Sequence, residues 1–299
     1  SLLLFGDLHQ LPPVVQEADV AEHLESNFGG PFFFDVPALR DGAGTSLLEL
    51  KHVFRHDDPQ LIDVLDRIRE GEVDEADLEL LNARVSPIHT LGEGEQFVIL
   101  TPTNAAANRI NAAYLDALPG RAYAYEAGVT GDFSDSAQPT DSPLILKAGA
   151  KVILLRNDPD RRWVNGTIAR VSRLDEKRVW VEIDGKEHEV EPAAWENRRY
   201  SYDQTAEKIV ETVAGTFKQF PLRLAWALTI HKSQGLTLDK VYIDLGRGTF
   251  AHGQTYVAIS RCRSLSGLAF ARPLRPRDVR FDPAVMRYRD LFPPLEGSA

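Results

Sequence analysis

The chain has 299 residues, 43% hydrophobic and 26% charged, with 21 Gly and 18 Pro; this excludes collagen-like, disordered and disulfide-scaffold classes and predicts two or three compact units. The net charge of −10 argues, taken whole, against non-specific nucleic-acid binding. Its distribution argues otherwise: residues 1–146 carry 8 Lys/Arg against 25 Asp/Glu, residues 147–200 carry 12 against 10, and residues 201–299 carry 14 against 9. A polyanion would be met in the second half, with the acidic stretch from Asp57 to Glu95 turned to solvent or to another domain. The single Cys262, the lack of an apolar run near about 18 residues and the absence of a signal-peptide pattern predict a cytoplasmic protein. The only methionine is Met286, and Ser1 leads directly into Leu2-Leu3-Leu4-Phe5, which reads as a buried strand already under way. A piece of a longer chain is therefore expected.

In chain order, the strand at 2–5 closes on Gly6-Asp7, and the turn formers Leu11-Pro12-Pro13 open a loop-rich stretch to about Ser46 that holds Phe32-Phe33-Phe34. Leu61, Ile62, Leu65 and Ile68 recur at three and four, predicting a helix over 59–69 that stops at Gly71, followed by a second over 75–84. A short strand, 97–100, leads through Thr101-Pro102-Thr103 into a helix from Asn104 to about Leu118 with a hydroxyl placed to cap it. From Lys151 the texture becomes β-rich, with strands at 152–155, 167–171, 179–183 and 187–190, spaced as in a small barrel. After Pro221 the α/β texture returns: a strand over 222–229, another over 241–245, and a helix holding Thr255 to Ile259. The tail from Pro293 to Ala299 should fray.

Three segments carry chemistry. Gly6-Asp7 at a strand end places a carboxylate at the carboxyl edge of a sheet, where α/β proteins bind ligands, and Gln10 lies within reach with an amide able to sense a phosphate oxygen. Taken alone, Gly6-Asp7 is better explained as a strand-ending turn with a solvated carboxylate. Thr229-Ile230-His231-Lys232-Ser233-Gln234-Gly235 gathers donors suited to phosphates and bases, although helix starts also gather such residues. Gly253-Gln254-Thr255-Tyr256-Val257-Ala258-Ile259-Ser260-Arg261 delivers arginines to a helix end, where they either balance the dipole or meet a γ-phosphate.

Together these segments resemble the Pif1/RecD-like superfamily-1B DNA helicases, from residue 1 to about residue 272. Gly6-Asp7-x-x-Gln10-Leu11-Pro12-Pro13-Val14 is similar to helicase motif III, Ala225 through Gly235 to motif V, and Gly253 through Arg261 to motif VI. Leu50-Lys51-His52-Val53-Phe54-Arg55 resembles motif IV; the family usually has Gln next, where this chain has His56. The resemblance implies an α/β fold built on a RecA-like (P-loop NTPase-type) second helicase domain with an inserted SH3-like β-barrel. It divides the chain into a strip of the first RecA-like domain (1–45), the second domain (46–146 and 222–299) and the insertion (147–221).

The implied activity is ATP-dependent 5′-to-3′ translocation on single-stranded DNA, with repair and recombination as its setting. By resemblance, Arg261 is the arginine finger with Arg55 beside it, Gln10 couples the γ-phosphate to closure, and Asp7, Gln10, Gly235, Gln254 and Arg261 face the nucleotide. Thr103, Asn104, Thr229, His231, Lys232 and Ser233 grip DNA. ATP and Mg2+ would be held mainly by a P-loop and an acidic pair preceding motif III; no G-x-x-x-x-G-K-[ST] occurs in the chain, so it is expected to lack ATPase activity alone. A nucleic-acid-binding module without a motor and the helicase subunit of a recombination nuclease are the competing readings. No metal site of the chain's own, no membrane association and no particular oligomeric state are implied.

Overall fold

Local sequence signals account for most helices of the computed structural model, which describes residues 3–15, 17–42, 44–50, 52–88, 97–203 and 208–292. Helix α1 (Ala18–Phe28) ends on Gly29 at φ 87°, whose N–H donates to Leu24 O and Glu25 O. It buries none of its residues, which is why no apolar stripe announced it and why the stretch reads from sequence as a loop. Helix α2 (Pro59–Glu70) starts where Asp58 accepts from Gln60 N and Leu61 N at 3.1 and 3.4 Å, and stops at Gly71 in the left-handed region. Its buried face is Leu61, Val64, Leu65 and Ile68. Helix α3 (Glu75–Asn82) carries a reciprocal Asp74–Asp77 capping box. Strand β1 (Val98–Thr101) feeds helix α4 (Asn104–Ala117), where Thr103 Oγ1 accepts from Ala106 N at 3.3 Å.

The β-rich stretch follows as β2 (Tyr123–Tyr125), β3 (Gly128–Gly131), β4 (Leu144–Leu146), β5 (Lys151–Leu154), β6 (Ile168–Leu174), β7 (Val179–Ile183), β8 (Lys186–Val190), β9 (Ala193–Asp203), β10 (Lys208–Gln219) and β11 (Leu222–Leu224). The chain closes with β12 (Ala227–Thr229), β13 (Val241–Ile243), α5 (Gln254–Ile259), β14 (Leu268–Phe270) and α6 (Pro283–Arg289).

The chain divides into two compact units, residues 1–106 with 228–299, and residues 107–227. In the first, β1, β13 and β14 pair in parallel in a sheet of order β12-β1-β13-β14. Val98, Ile99, Leu100, Val241 and Ile243 are buried in it, and Val257, Ala258 and Ile259 of α5 are buried as well. Phe34 stacks on Tyr288 of α6 with centroids 4.4 Å apart, attaching the segment around Phe32-Phe33-Phe34 to this unit.

The second unit is antiparallel. A five-stranded sheet of order β11-β5-β6-β7-β8 stands beside a ribbon, β3-β10-β9, bulged between Val213 and Gly215, and the pair β2-β4. Its core includes Leu144, Leu146, Val152, Leu154, Val179, Val181 and Leu222.

Two expectations are corrected. Leu3, Leu4 and Phe5 form no strand and are 78, 55 and 91% exposed; a strand needs a neighbour for its backbone groups, and among the described residues none pairs with these. The single strand over 222–229 is two, because Ala225 N donates to Lys151 O and the chain then leaves one sheet for the other. Parts of the expectations at Ser1-Leu2, Lys51, the acidic end at 93–95 and the tail 293–299 lie outside the described residues.

Candidate functional site

Three segments far apart in sequence meet in the first unit through side-chain hydrogen bonds. Asp7 Oδ1 accepts from His9 N at 3.0 Å, which folds the 7–10 turn. Its other oxygen accepts from Gln10 Nε2 at 3.0 Å and from the Tyr256 hydroxyl at 3.2 Å. With its NH2 held, Gln10 presents its carbonyl oxygen to Gln234 Nε2 at 3.3 Å. A continuous chain thus runs Tyr256–Asp7–Gln10–Gln234. Burial, reinforced by the Asp7 charge, pushes the Tyr256 phenol up, so it stays a donor at neutral pH. Burial pushes the neighbouring His9 down. Gly253 sits at φ 73°, and a Cβ there would lie 2.6 Å from both His9 O and Gln10 O; the close approach admits only glycine.

Behind this chain lie two arginines. Arg261 is 1% exposed, its guanidinium donating to Val257 O at 3.0 Å, Leu236 O at 3.3 Å and Ser260 Oγ at 2.7 Å. Arg55 Nε donates to Thr237 Oγ1 at 3.1 Å, so both cations anchor on the adjacent residues Leu236 and Thr237. Burial first, then repulsion from Arg55, pulls Arg261 down to about 10. His56, where the resembling family usually carries Gln, is buried beside them with Nδ1 unpartnered among the described residues, and burial pushes its pKa down. Gln254 is 1% exposed; its Oε1 accepts from Phe250 N and Ala251 N at 3.0 and 3.4 Å while its Nε2 is buried with no partner among the described residues. Two guanidiniums in one place, with Asp7 already accepting three hydrogen bonds, form a local positive field suited to a phosphate.

The strand ends supply a second group. Ile230 N donates to Thr101 O at 2.9 Å, so β1 and β12 finish side by side and bring Thr103 and Asn104, both exposed, next to the turn His231–Ser233. Within that turn Thr229 Oγ1 accepts from Lys232 N at 3.3 Å and Ser233 Oγ donates to Ile230 O at 2.8 Å. Thr229 and Ser233 are 4 and 0% exposed: they shape the turn, while Lys232 and Gly235 stand at the surface and His231 is half-buried. Gly235 takes φ 81°. Burial lowers the His231 pKa.

The structure therefore brings together Asp7, Gln10, Arg55 and Arg261, and separately Thr103, Asn104, His231 and Lys232, while Gln254 holds a loop from inside. Sequence reasoning left out Tyr256, Gln234 and Thr237 as site members. Tyr256 and Gln234 lay within the quoted segments, and their polar side chains beside buried positions were the available signal.

The class of protein follows first from the fold. Bacteroides sp. Pif1 in complex with ADP-AlF4 matches with a TM-score of 0.79 and 33% identity over 96% of this chain and 65% of that one. Bacteroides Pif1 bound to single-stranded DNA matches with a TM-score of 0.71 and 34% identity over 96% and 65%. Among curated relatives, the ATP-dependent DNA helicase Pif1 of Bdellovibrio bacteriovorus is 32% identical over 297 residues, 97% of this chain and 62% of the relative. This chain is a homologue of the Pif1-family DNA helicases over nearly its whole length. It spans less than two thirds of the length of these relatives. No protein-family model matches it.

Proposed function

We propose that the chain is the C-terminal part of an ATP-dependent DNA helicase that moves 5′ to 3′ along single-stranded DNA. In this reading residues 1–45 belong to a first RecA-like domain, 46–146 and 222–299 form the second, and 147–221 are an SH3-like insertion. The observation that carries it is the chain Tyr256–Asp7–Gln10–Gln234, which ties motifs III, V and VI together in a homologue of Pif1 helicases.

The cation pair fits the triphosphate of ATP: Arg55 and Arg261 repel each other, and an anion between them relieves that repulsion. ATP supplies the free energy of phosphoryl transfer to water, with Mg2+ and the α- and β-phosphates held by the P-loop and acidic pair of the longer protein. Arg261 stabilises charge on the transferred group, and Arg55 adds to the same field. Gln10, its amide oriented by Asp7, passes the state of the γ-phosphate to Gln234 and so to the 229–235 turn. Thr103, Asn104, His231 and Lys232 face the DNA backbone; Thr229 and Ser233 hold the turn in shape.

The test uses the longer protein, with unwinding measured on duplexes bearing a 5′ or a 3′ single-stranded tail. Unwinding confined to the 5′-tailed duplex and dependent on ATP is expected; ATP-independent or 3′-tail unwinding overturns the reading. The 299-residue chain alone should show no DNA-stimulated ATP turnover, and a rate near ~10 per second, the enzyme median, would contradict that part.

A further inference from the structure

Phe250 is a large apolar side chain left 60% exposed, and single exposed hydrophobes are common enough to need no explanation. Its backbone is unusual. Phe250 N donates to the buried Gln254 Oε1 at 3.0 Å, its carbonyl accepts from Arg280 at 3.5 Å, and the preceding Thr249, itself 7% exposed, donates from Oγ1 to Asp278 O at 3.0 Å. The ring is thus presented to solvent from a segment fixed on three sides, one of them by a glutamine side chain buried for that contact. It lies nearly parallel to His231, with an interplanar angle of 15° and centroids 6.3 Å apart. The two rings form an offset stack, and Lys232 follows His231 in the 231–233 turn.

We propose that Phe250 is a base-stacking residue: a nucleobase of single-stranded DNA packs on its ring beside His231 while the adjoining phosphate meets Lys232. The proposal rests on the DNA-translocating reading above and adds to it a contact with the bases. A rigidly held aromatic face gives sequence-tolerant affinity, because every base has a π-face and little side-chain order is lost on contact. Gln254 acts here as a positioning residue, linking motif VI to the base contact through Phe250 N.

Binding of the 299-residue chain to a fluorescein-labelled oligothymidylate, followed by anisotropy across a salt series, tests this. Phe250→Ala should weaken binding about tenfold or more with an unchanged salt slope, as loss of one stacked base predicts, while Phe250→Trp restores it. Lys232→Ala should instead flatten the slope by about 0.7. An oligonucleotide carrying 2-aminopurine should lose fluorescence on binding the wild type and regain it with Phe250→Ala. Equal affinity of the wild type and Phe250→Ala, with Lys232→Ala weakened, overturns the stacking role alone. No binding by the wild-type chain overturns the DNA-facing reading and this proposal with it.

Discussion

In residues 107–227 the buried carboxylate of Asp158 accepts from Arg162 N, Nε and a terminal nitrogen at 3.0, 2.8 and 2.6 Å, and these bonds hold its pKa at about 2. The Arg178–Asp175 pair at 2.9 Å is likewise close in sequence. The first unit is arranged differently. Its Arg261 is buried and pulled down to about 10, and it contains three of the buried polar atoms without partners among the described residues, on His56, Arg69 and Gln254, against Arg223 Nε in the second unit. Each such atom costs about 1–3 kcal/mol. The second unit's buried polar side chains, Asn111, Thr140 and Gln219 among them, bond to its own backbone and serve stability, whereas the first unit keeps more buried polar atoms with capacity for a ligand.

The largest effect that would break this contrast is Arg261→Ala in the longer protein. DNA-stimulated ATP hydrolysis should fall about a thousandfold or more, with single-stranded DNA affinity nearly unchanged. A loss under about tenfold in a steady-state assay would make Arg261 a structural anchor, like Arg162. The counterpart in the second unit is Asp158→Ala. Arg162 is 37% exposed and can return to water, so the expected loss is about 1–2 kcal/mol in a urea titration, with no change in DNA affinity.

Much of this could be read from the chain and some could not. The recurrence of Leu61, Ile62, Leu65 and Ile68 up to Gly71 announces α2 because periodicity and capping are local, and the Asp184-Gly185 turn between 179–183 and 187–190 announces a hairpin. The pairing of β10 with β3 is long-range, and Leu222–Thr229 reads as one strand because apolar residues continue through Ala225-Trp226, where the backbone changes sheets. Arg261 was legible as a cation at a helix end, but its burial depends on Leu236 O, supplied by another segment. Thr229 and Ser233 illustrate the same limit: a hydroxyl that can meet a phosphate can equally close a turn.

A smaller effect sharpens the comparison. Tyr256→Phe removes one donor to Asp7 and leaves the ring, so about 0.5–1.5 kcal/mol is at stake. In the longer protein kcat for ATP should fall several-fold while the DNA dissociation constant stays put; equal changes in both would mean that the bond only holds the fold. Smallest is the pH response of the 299-residue chain. His56, His9 and His231 all have folded-state pKa values below the ordinary 6.5. The unfolded chain therefore binds more protons as pH drops through 6.5 toward the folded values. Their contribution to stability is complete above about pH 6.5 and lost below it, so Tm should fall between about pH 7 and pH 5. The fall should be shallower in His56→Gln, and an identical slope in that variant would show that His56 protonates freely in the fold.

The glycine at 253 has a mechanical consequence. Its α-carbon rests against the carbonyls of His9 and Gln10 with clearance for hydrogen alone, so the 7–10 turn and the start of α5 bear on each other like two faces of a machined joint. Neither can slide without displacing the other. Gly253→Ala is thus a wedge driven into that joint, opening the gap from one side while leaving Tyr256, Asp7, Gln10 and Gln234 chemically intact.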